Sequence, residues 1–377
     1  MKKWSYAAAL VALASIGTSA FASSEGLRLY GRFEVGPEYN SLTYRGEHYD
    51  SFGMGTGAER FGMTGSHAIS SDLAARFTLE AGFSSANGVG TAGRLFGRQA
   101  SVGLVHQRLG SLDFGRHYNF GALYQGDVDP FGGGYGLAGG DTVLGNGPRA
   151  DNLVLYQTPN LGGWQGGIGY SFGVDDNTRE LQNALIRART GNRNFFGSKK
   201  YDRLLTAGIR YGAGPLTMVG TFDRAIRRQD ALNADQGRQI DVYMLGAAYD
   251  FEPFCLYAAF SQTFGGWLAS KNPNYMPGQH SGFQDFQFAK GFAATTGLIG
   301  AHFTSGVHRV MASWQQAKPR NARLTGQSRT FNMYSLGYRY AMSKRTALQA
   351  FVAYGTNYAF INGLNGMQSS VRVEHRF

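Results

Sequence analysis

Past residue 23, apolar and polar positions alternate along the chain with a period of two. In segment 333–340, Tyr334, Leu336, Tyr338 and Tyr340 fall on one face and Met333, Ser335, Gly337 and Arg339 on the other. Segment 72–83 repeats the pattern, with Leu73, Ala75, Phe77, Leu79, Ala81 and Phe83 opposite Asp72, Ala74, Arg76, Thr78, Glu80 and Gly82. In 243–251, Tyr243, Leu245, Ala247, Tyr249 and Phe251 oppose Met244, Gly246, Ala248 and Asp250. Successive side chains of a strand point to opposite faces, so each segment reads as a strand with one apolar face. The pattern predicts about sixteen strands, near 26–37, 57–66, 71–83, 95–106, 110–118, 151–158, 163–173, 201–212, 215–227, 239–251, 253–264, 292–304, 306–317, 331–341, 345–357 and 367–377. Most run roughly 10 to 13 residues, against roughly 5 to 6 in globular sheets. A tilted strand crossing a bilayer needs roughly 9 to 11.

The connections sort by length. Short turns at 66–70, 107–109, 212–214 and 342–344 alternate with long polar stretches near 38–56, 119–150, 174–200, 265–291 and 318–330. One rim would be tight and the other looped, as in transmembrane barrels. Tyr and Phe gather toward strand ends, as at Tyr334, Tyr338, Tyr340, Tyr354 and Tyr358, where an aromatic girdle would sit. The opposite faces are rich in glycine and polar residues, which suits an aqueous lumen. A soluble β-sandwich also alternates but needs neither feature. The expectation is an all-β protein, a 16-stranded antiparallel transmembrane β-barrel forming one unit over 23–377.

Residues 1–22 read as a cleaved export signal: Lys2 and Lys3, an apolar run from Ala7 to Ile16, and the small-x-small site Ala20-Phe21-Ala22. No later stretch approaches the roughly 18 consecutive apolar residues of a membrane helix. Export followed by strand-wise membrane insertion predicts a bacterial outer membrane.

Composition narrows the chemistry. The chain has 377 residues, 55 of them Gly and only 9 Pro, with charged residues at 16% and a formal net charge of +11. Its polarity therefore comes largely from uncharged residues. The lone Cys255 rules out an internal disulfide, and the eight histidines form no HxH or HxxxH pair, so no metal and no cofactor is expected. A basic, aromatic chain could bind nucleic acid, but the export signal and the scatter of arginines over many strands oppose it. Gly88-Val89-Gly90-Thr91-Ala92-Gly93 fits GxGxxG in form only, since no helix follows. A barrel enzyme, protease or phospholipase, would need a nucleophile or activated water beside His and an acid; His48 and Asp50 are the tempting pair, and no G-x-S-x-G occurs. A substrate-specific channel is a further alternative.

Several short motifs, in order, resemble the general porins of Gram-negative bacteria, above all those of β-proteobacteria. They are Leu29-Tyr30-Gly31-Arg32, Arg60-Phe61-Gly62-Met63-Thr64-Gly65, Phe96-Gly97-Arg98-Gln99-Ala100, Gly110-Ser111-Leu112-Asp113-Phe114-Gly115-Arg116, Asp129-Pro130-Phe131-Gly132-Gly133, Arg149-Ala150-Asp151-Asn152 and the end Glu374-His375-Arg376-Phe377. The resemblance implies a homotrimer of barrels, passive diffusion of small hydrophilic solutes, contact with outer-membrane lipid and lipopolysaccharide, and a terminal Phe377 read by the barrel-assembly machinery. It also implies a third loop folded inward to narrow the pore, and 119–150 is the longest connection of the first half. By the same resemblance Arg32, Arg60, Arg98 and Arg149 form a basic wall of the constriction. Asp127 and Asp129 are the acidic candidates on the loop, and Glu80 shares the inward face with Arg76. Four arginines against few carboxylates predict anion preference. If Arg98 points inward, alternation leaves Leu95, Gly97, Gln99, Ser101, Gly103 and Val105 outward. That face suits a subunit interface, unless a local bulge flips the strand.

Overall fold

A computed structural model of the chain describes residues 26–144, 149–174, 202–228, 237–268 and 286–377; the export signal at 1–22 lies outside them. The strands are β1 (Gly26–Tyr44), β2 (Glu47–Thr56), β3 (Arg60–Ala68), β4 (Leu73–Gly82), β5 (Gln99–His106), β6 (Gly110–Tyr118), β7 (Arg149–Gln157), β8 (Trp164–Ser171), β9 (Arg203–Ala213), β10 (Leu216–Ile226), β11 (Gln239–Asp250), β12 (Phe254–Leu268), β13 (Phe286–Ser305), β14 (His308–Pro319), β15 (Phe331–Ala341), β16 (Thr346–Thr356) and β17 (Asn365–Arg376). All pair antiparallel in one sheet, and β1 pairs with β17 from Arg32↔Arg376 to Thr43↔Asn365, which closes it. Both β2 and β3 pair with β1, one along each half, so they are a single barrel strand interrupted at 57–59. The barrel is therefore 16-stranded.

The long connection expected at 38–56 is instead a hairpin. β1 and β2 continue to a two-residue turn at Arg45 and Gly46, with φ of 54° and 84°. Two successive positive φ values match the twist of paired strands, and the turn sets the register. Polar residues on both faces of this exposed ribbon hid its alternation from the sequence. β12 and β13 likewise run to Leu268 and from Phe286, beyond their expected ends.

The small polar outward face expected near Arg98 is not found. β5 begins at Gln99, and Arg98 lies in the bend before it, its N–H bonded to Glu80 O at 3.1 Å. Alternation counted from Arg98 therefore fails by one residue, and Val102 and Leu104 point outward. On β6 a bulge between Gly115 and His117 reverses the alternation, so that Asp113 and Tyr118 both face inward. Gly115 has φ +124°, and a Cβ there would collide with Ala100 O.

The outer wall carries two aromatic belts. Phe222, Tyr243 and Phe264 adjoin near the looped rim, with centroids 4.9 and 6.3 Å apart. Phe251, Phe254 and Phe303 adjoin at the short-turn rim, at 6.1 and 4.9 Å. Tyr243 and Phe251 lie eight positions apart on one chain, which at roughly 3.4 Å per residue and a tilt near 40° separates the belts by about 21 Å, close to an apolar membrane band.

Phe377 completes the closure. Its N–H and C=O exchange 3.2 Å bonds with Gly31, and its ring covers Gly31 beside Phe33. Gly31→Val would push the ring aside, at roughly 1–3 kcal/mol of overpacking, and deletion of Phe377 would remove the last closing pair. Both should lower the yield of heat-modifiable folded barrel on cold SDS electrophoresis without changing the conductance of pores that do form. Full assembly of both variants would refute a role for this contact.

Candidate functional site

The connection that begins at 119 does not stand out from the rim; it lies inside the barrel. Asn119 caps a short helix, α1 (Phe120–Gln125), accepting the Ala122 N–H at 3.2 Å, and Thr206 Oγ1 on the wall accepts the Phe120 N–H at 2.8 Å. Apolar residues then anchor the chain: Phe120, Tyr124, Val128, Phe131 and Tyr135 are all buried. They reach the wall because it carries glycine beneath them. A Cβ at Gly167 or Gly208 would collide with Phe120, one at Gly246 with Val128, one at Gly300 with Pro130 and one at Gly337 with Phe131. The loop tip is held by Gln368, which accepts the Leu137 N–H at 2.7 Å, and by Gln315, which donates to Ala138 O at 2.9 Å. It is the wall's glycines that permit this close approach.

On another sector of the wall, β1, β3, β4, β6, β7 and the bend before β5 bring Arg60, Arg98, Arg149 and Glu80 together. Arg98 Nε donates to Glu80 at 2.7 Å, Arg60 lies 4.0 Å from the same carboxylate, and Tyr30 donates to its other oxygen at 2.9 Å. Tyr118 stands between two guanidinium groups: its hydroxyl accepts from Arg98 at 2.9 Å and Arg149 at 2.7 Å, and Arg149 lies 4.4 Å from its ring centroid. Among the described residues no carboxylate lies within ion-pair distance of Arg149. Three arginines thus share one carboxylate and one phenol.

Arg32 is the register partner of Arg60 but belongs to a different network. Its guanidinium pairs with Glu34 and, at 2.8 Å, with Glu374, which also takes Arg339 and Arg376 at 3.0 Å each. Arg372, nearly fully buried, bridges Glu34 and Glu38. The charge of Arg32 is therefore compensated locally.

The two loop acids are placed differently from expectation. Asp127 turns to the wall and accepts from Arg210 on β9 at 2.6 Å. Asp129, 1% exposed, is spent on the loop itself, accepting the N–H groups of Phe131, Gly133 and Gly140 at 2.8 to 3.0 Å. A carboxylate followed by a tight Pro-Phe-Gly-Gly turn favours such bonds to its own backbone, a signal the sequence carried. Tyr118 and Tyr30 were missed, because nothing in period-two alternation marks a phenol as an arginine support. Arg94 and Arg116, which pair with Asp151 at 2.7 and 2.6 Å, were missed too. His48 bonds Thr43 at 3.0 Å on the exposed hairpin, across from it in register, an ordinary strand pair.

The Gram-negative porin family matches residues 7–359. An outer membrane porin protein of Bordetella pertussis is 35% identical over the full length of both chains. The chain belongs to the Gram-negative porin family. Outer membrane porin protein 32 of Delftia acidovorans is 27% identical over 63% of this chain and 74% of its own. Among solved structures, an anion-selective porin from Comamonas acidovorans superposes with a TM-score of 0.68, covering 93% of this chain and 99% of its own at 20% identity. A trimer form of OmpT from Vibrio cholerae gives 0.59 at 13% identity, over 93% of this chain and 99% of its own. These two share the barrel fold. The protein is an outer-membrane porin, a passive channel and not an enzyme.

Two predictions concern the porin's inner loop. Gly208→Leu and Gly246→Leu should displace Phe120 and Val128 from the wall, at roughly 1–3 kcal/mol each, and change single-channel conductance. Gly166→Leu, on the outer face of β8, should leave it unaltered; equal conductance in all three would mean that docking does not set the pore. The second is a pH dependence. Burial pushes the Asp129 carboxyl up from 3.8 to about 6, against the three amides that lower it. An acid whose folded pKa is raised favours the docked loop fully below about pH 4, and that contribution is lost as pH rises through about 6. Amide-exchange protection at Gly133 and Gly140, corrected for intrinsic rates, should therefore fall between pH 4 and 7. Asp129→Asn should flatten this slope; an equal slope in the variant would remove Asp129 from the effect.

Proposed function

We propose that this porin passes small hydrophilic solutes with a preference for anions, and that Arg60, Arg98 and Arg149 are its filter. The observation that carries this is the ratio of three clustered arginines to one carboxylate, with Asp127 and Asp129 engaged elsewhere. Low-dielectric walls focus the field of fixed charges into a narrow aqueous section, so an excess of guanidinium groups there concentrates anions. Arg32 contributes less, because Glu34 and Glu374 hold it. The name of the Comamonas relative, an anion-selective porin, agrees with this reading.

The proposed assembly is a homotrimer, in line with the trimer form of the Vibrio protein. Outer-membrane lipid and lipopolysaccharide would meet the aromatic belts. The barrel-assembly machinery would read the final strand ending at Phe377. The constriction arginines carry the solute selection in each subunit.

The test is the zero-current potential across a salt gradient in planar bilayers. Wild type should favour anions, more strongly near 0.1 M than near 1 M, since the screening length falls from about 10 Å to about 3 Å. Arg149→Gln should reduce the preference, and Arg60→Glu combined with Arg98→Glu should reverse it. Cation preference in the wild type, or anion preference surviving the double reversal, would overturn the assignment. Conductance steps in groups of three would accompany a trimer.

A further inference from the structure

Below the docked loop, toward the short turns at 251–253 and 306–307, strand register sets three soft donors side by side. Cys255 on β12 pairs with His302 on β13, and His302 pairs with Met311 on β14. All three face inward and are buried, at 5%, 7% and 2% exposure, while their chain neighbours Leu256, Phe303 and Val310 are exposed on the outer wall. Residues directly opposite one another in an antiparallel sheet hold their Cβ atoms about 4.5–5.5 Å apart, so a thiol, an imidazole and a thioether in one row can converge on a single atom. Gly337 follows Met311 in the row, and Pro130 and Phe131 of the loop lie over Gly300 and Gly337, roofing the cluster. The three donors sit on separate strands and form no local spacing, which is why the sequence shows no metal motif.

A fourth residue supports the imidazole. Tyr257 Oη lies 2.9 Å from His302 Nδ1, and the same hydroxyl interacts with the Cys255 thiol. With Nδ1 donating to Tyr257, the lone pair of His302 sits on Nε2, the arrangement in which a histidine ligates a metal. The charged groups that act on both Cys255 and His302 are Arg309, whose Nε donates to Thr304 at 3.0 Å, and Asp250, the exposed register partner of Cys255 on β11. Among the described residues no three of His, Cys, Asp and Glu gather, so the third donor here is the thioether.

We propose that Cys255, His302 and Met311 form a binding site for one soft monovalent metal ion of the Cu(I) or Ag(I) class, separate from the arginine filter. Thiolate and thioether sulfur favour such ions, whereas magnesium, calcium and manganese take oxygen donors. Zinc is held by thiolate, imidazole and carboxylate, almost always four of them in a structural site, and the thioether is not among its ligands. On binding, the Cys255 thiol releases its proton to water and the thiolate ligates the metal, with no change of oxidation state. A singly charged ion and a thiolate leave a neutral centre, which a buried site beside Arg309 tolerates. A divalent ion would leave a net positive charge there.

The test is equilibrium dialysis of the intact porin in detergent, reduced and anaerobic, against Cu(I) buffered by a chromogenic chelator, with bound metal counted by elemental mass spectrometry. Wild type should retain one Cu(I) per chain, Ag(I) should displace it, and Zn(II) at the same free concentration should not be retained. Cys255→Ala and His302→Gln should abolish retention. Met311→Leu, which keeps the packing over Gly337, and Tyr257→Phe, which removes only the hydroxyl on Nδ1, should each weaken it about tenfold. His308→Asn, on an exposed histidine of the rim, should change nothing. Unaltered single-channel conductance of the metal-free variants reports a folded barrel. Equal retention by wild type and Cys255→Ala, or Zn(II) held as tightly as Cu(I), would overturn the proposal. Loss confined to Cys255→Ala, with full retention in the His302, Met311 and Tyr257 variants, would overturn it in favour of a lone reactive thiol.

Discussion

Close contact between one connection and a glycine-bearing wall governs the interior of this barrel. A barrel of sixteen strands is too wide for its own inward side chains to fill, and the connection after β6 supplies the missing core. Phe120, Val128, Pro130 and Phe131 lie where Gly167, Gly208, Gly246, Gly300 and Gly337 remove the wall's side chains. Each glycine weakens its strand through lost packing and added unfolded-state freedom. Burial of the loop's apolar side chains against the wall offsets that loss, and ladder bonds on both sides hold the strand regardless. Five of the chain's 55 glycines are in this way the imprint of its inner loop.

The same docking decides where charge remains. A carboxylate on a loop pressed against a wall must either face a cation or accept bonds from its own backbone, since burial of an unpaired charge is strongly unfavourable. Asp127 takes the first course with Arg210 and Asp129 the second with three amides. Neither is left to oppose the arginines on β3, β7 and the approach to β5. The loop thus shapes the lumen without contributing the acidic partner that a simple basic-wall and acidic-loop picture would assign to it.

How much of this was legible in sequence follows from what period-two alternation can and cannot encode. Barrel class, strand number and most strand cores were legible, because lipid on one side and water on the other impose the same two-fold pattern on every strand. Glu80 sits inside a regular strand and Arg60 opens one, and their inward direction could be read directly from the alternation that follows or surrounds them. Arg98 faces inward too, but from a bend, so that alternation counted from it assigned the wrong face to Gln99, Ser101 and Gly103. Tyr118 needed the bulge at Gly115 to reach the lumen, and bulges leave a glycine in sequence but no direction. The hairpin at 38–56 escaped because its β2 half is exposed and mixes polar with apolar residues on both faces, while on the β1 half only Leu42 is buried. Partner choice among acids was illegible for a different reason: Asp127, Arg210 and Asp129 are joined by loop docking, over separations that no local pattern records.

Tyr118 shows how a cluster of like charges can be held without being neutralised. Guanidinium groups packed side by side repel, and a carboxylate placed among them would orient them but also cancel the field they project. The phenol hydroxyl accepts one N–H from Arg98 and one from Arg149, and its ring face attracts Arg149 through the quadrupole. It fixes both side chains through neutral contacts, so the rotamer freedom of two long residues is restricted while their charge stays available to a passing solute. Glu80, with Tyr30 on its second oxygen, neutralises one positive charge of the three. What remains is an oriented excess of two guanidinium charges in a narrow section of the wall, where low-dielectric surroundings make each count for more than the many screened charges on the outer loops.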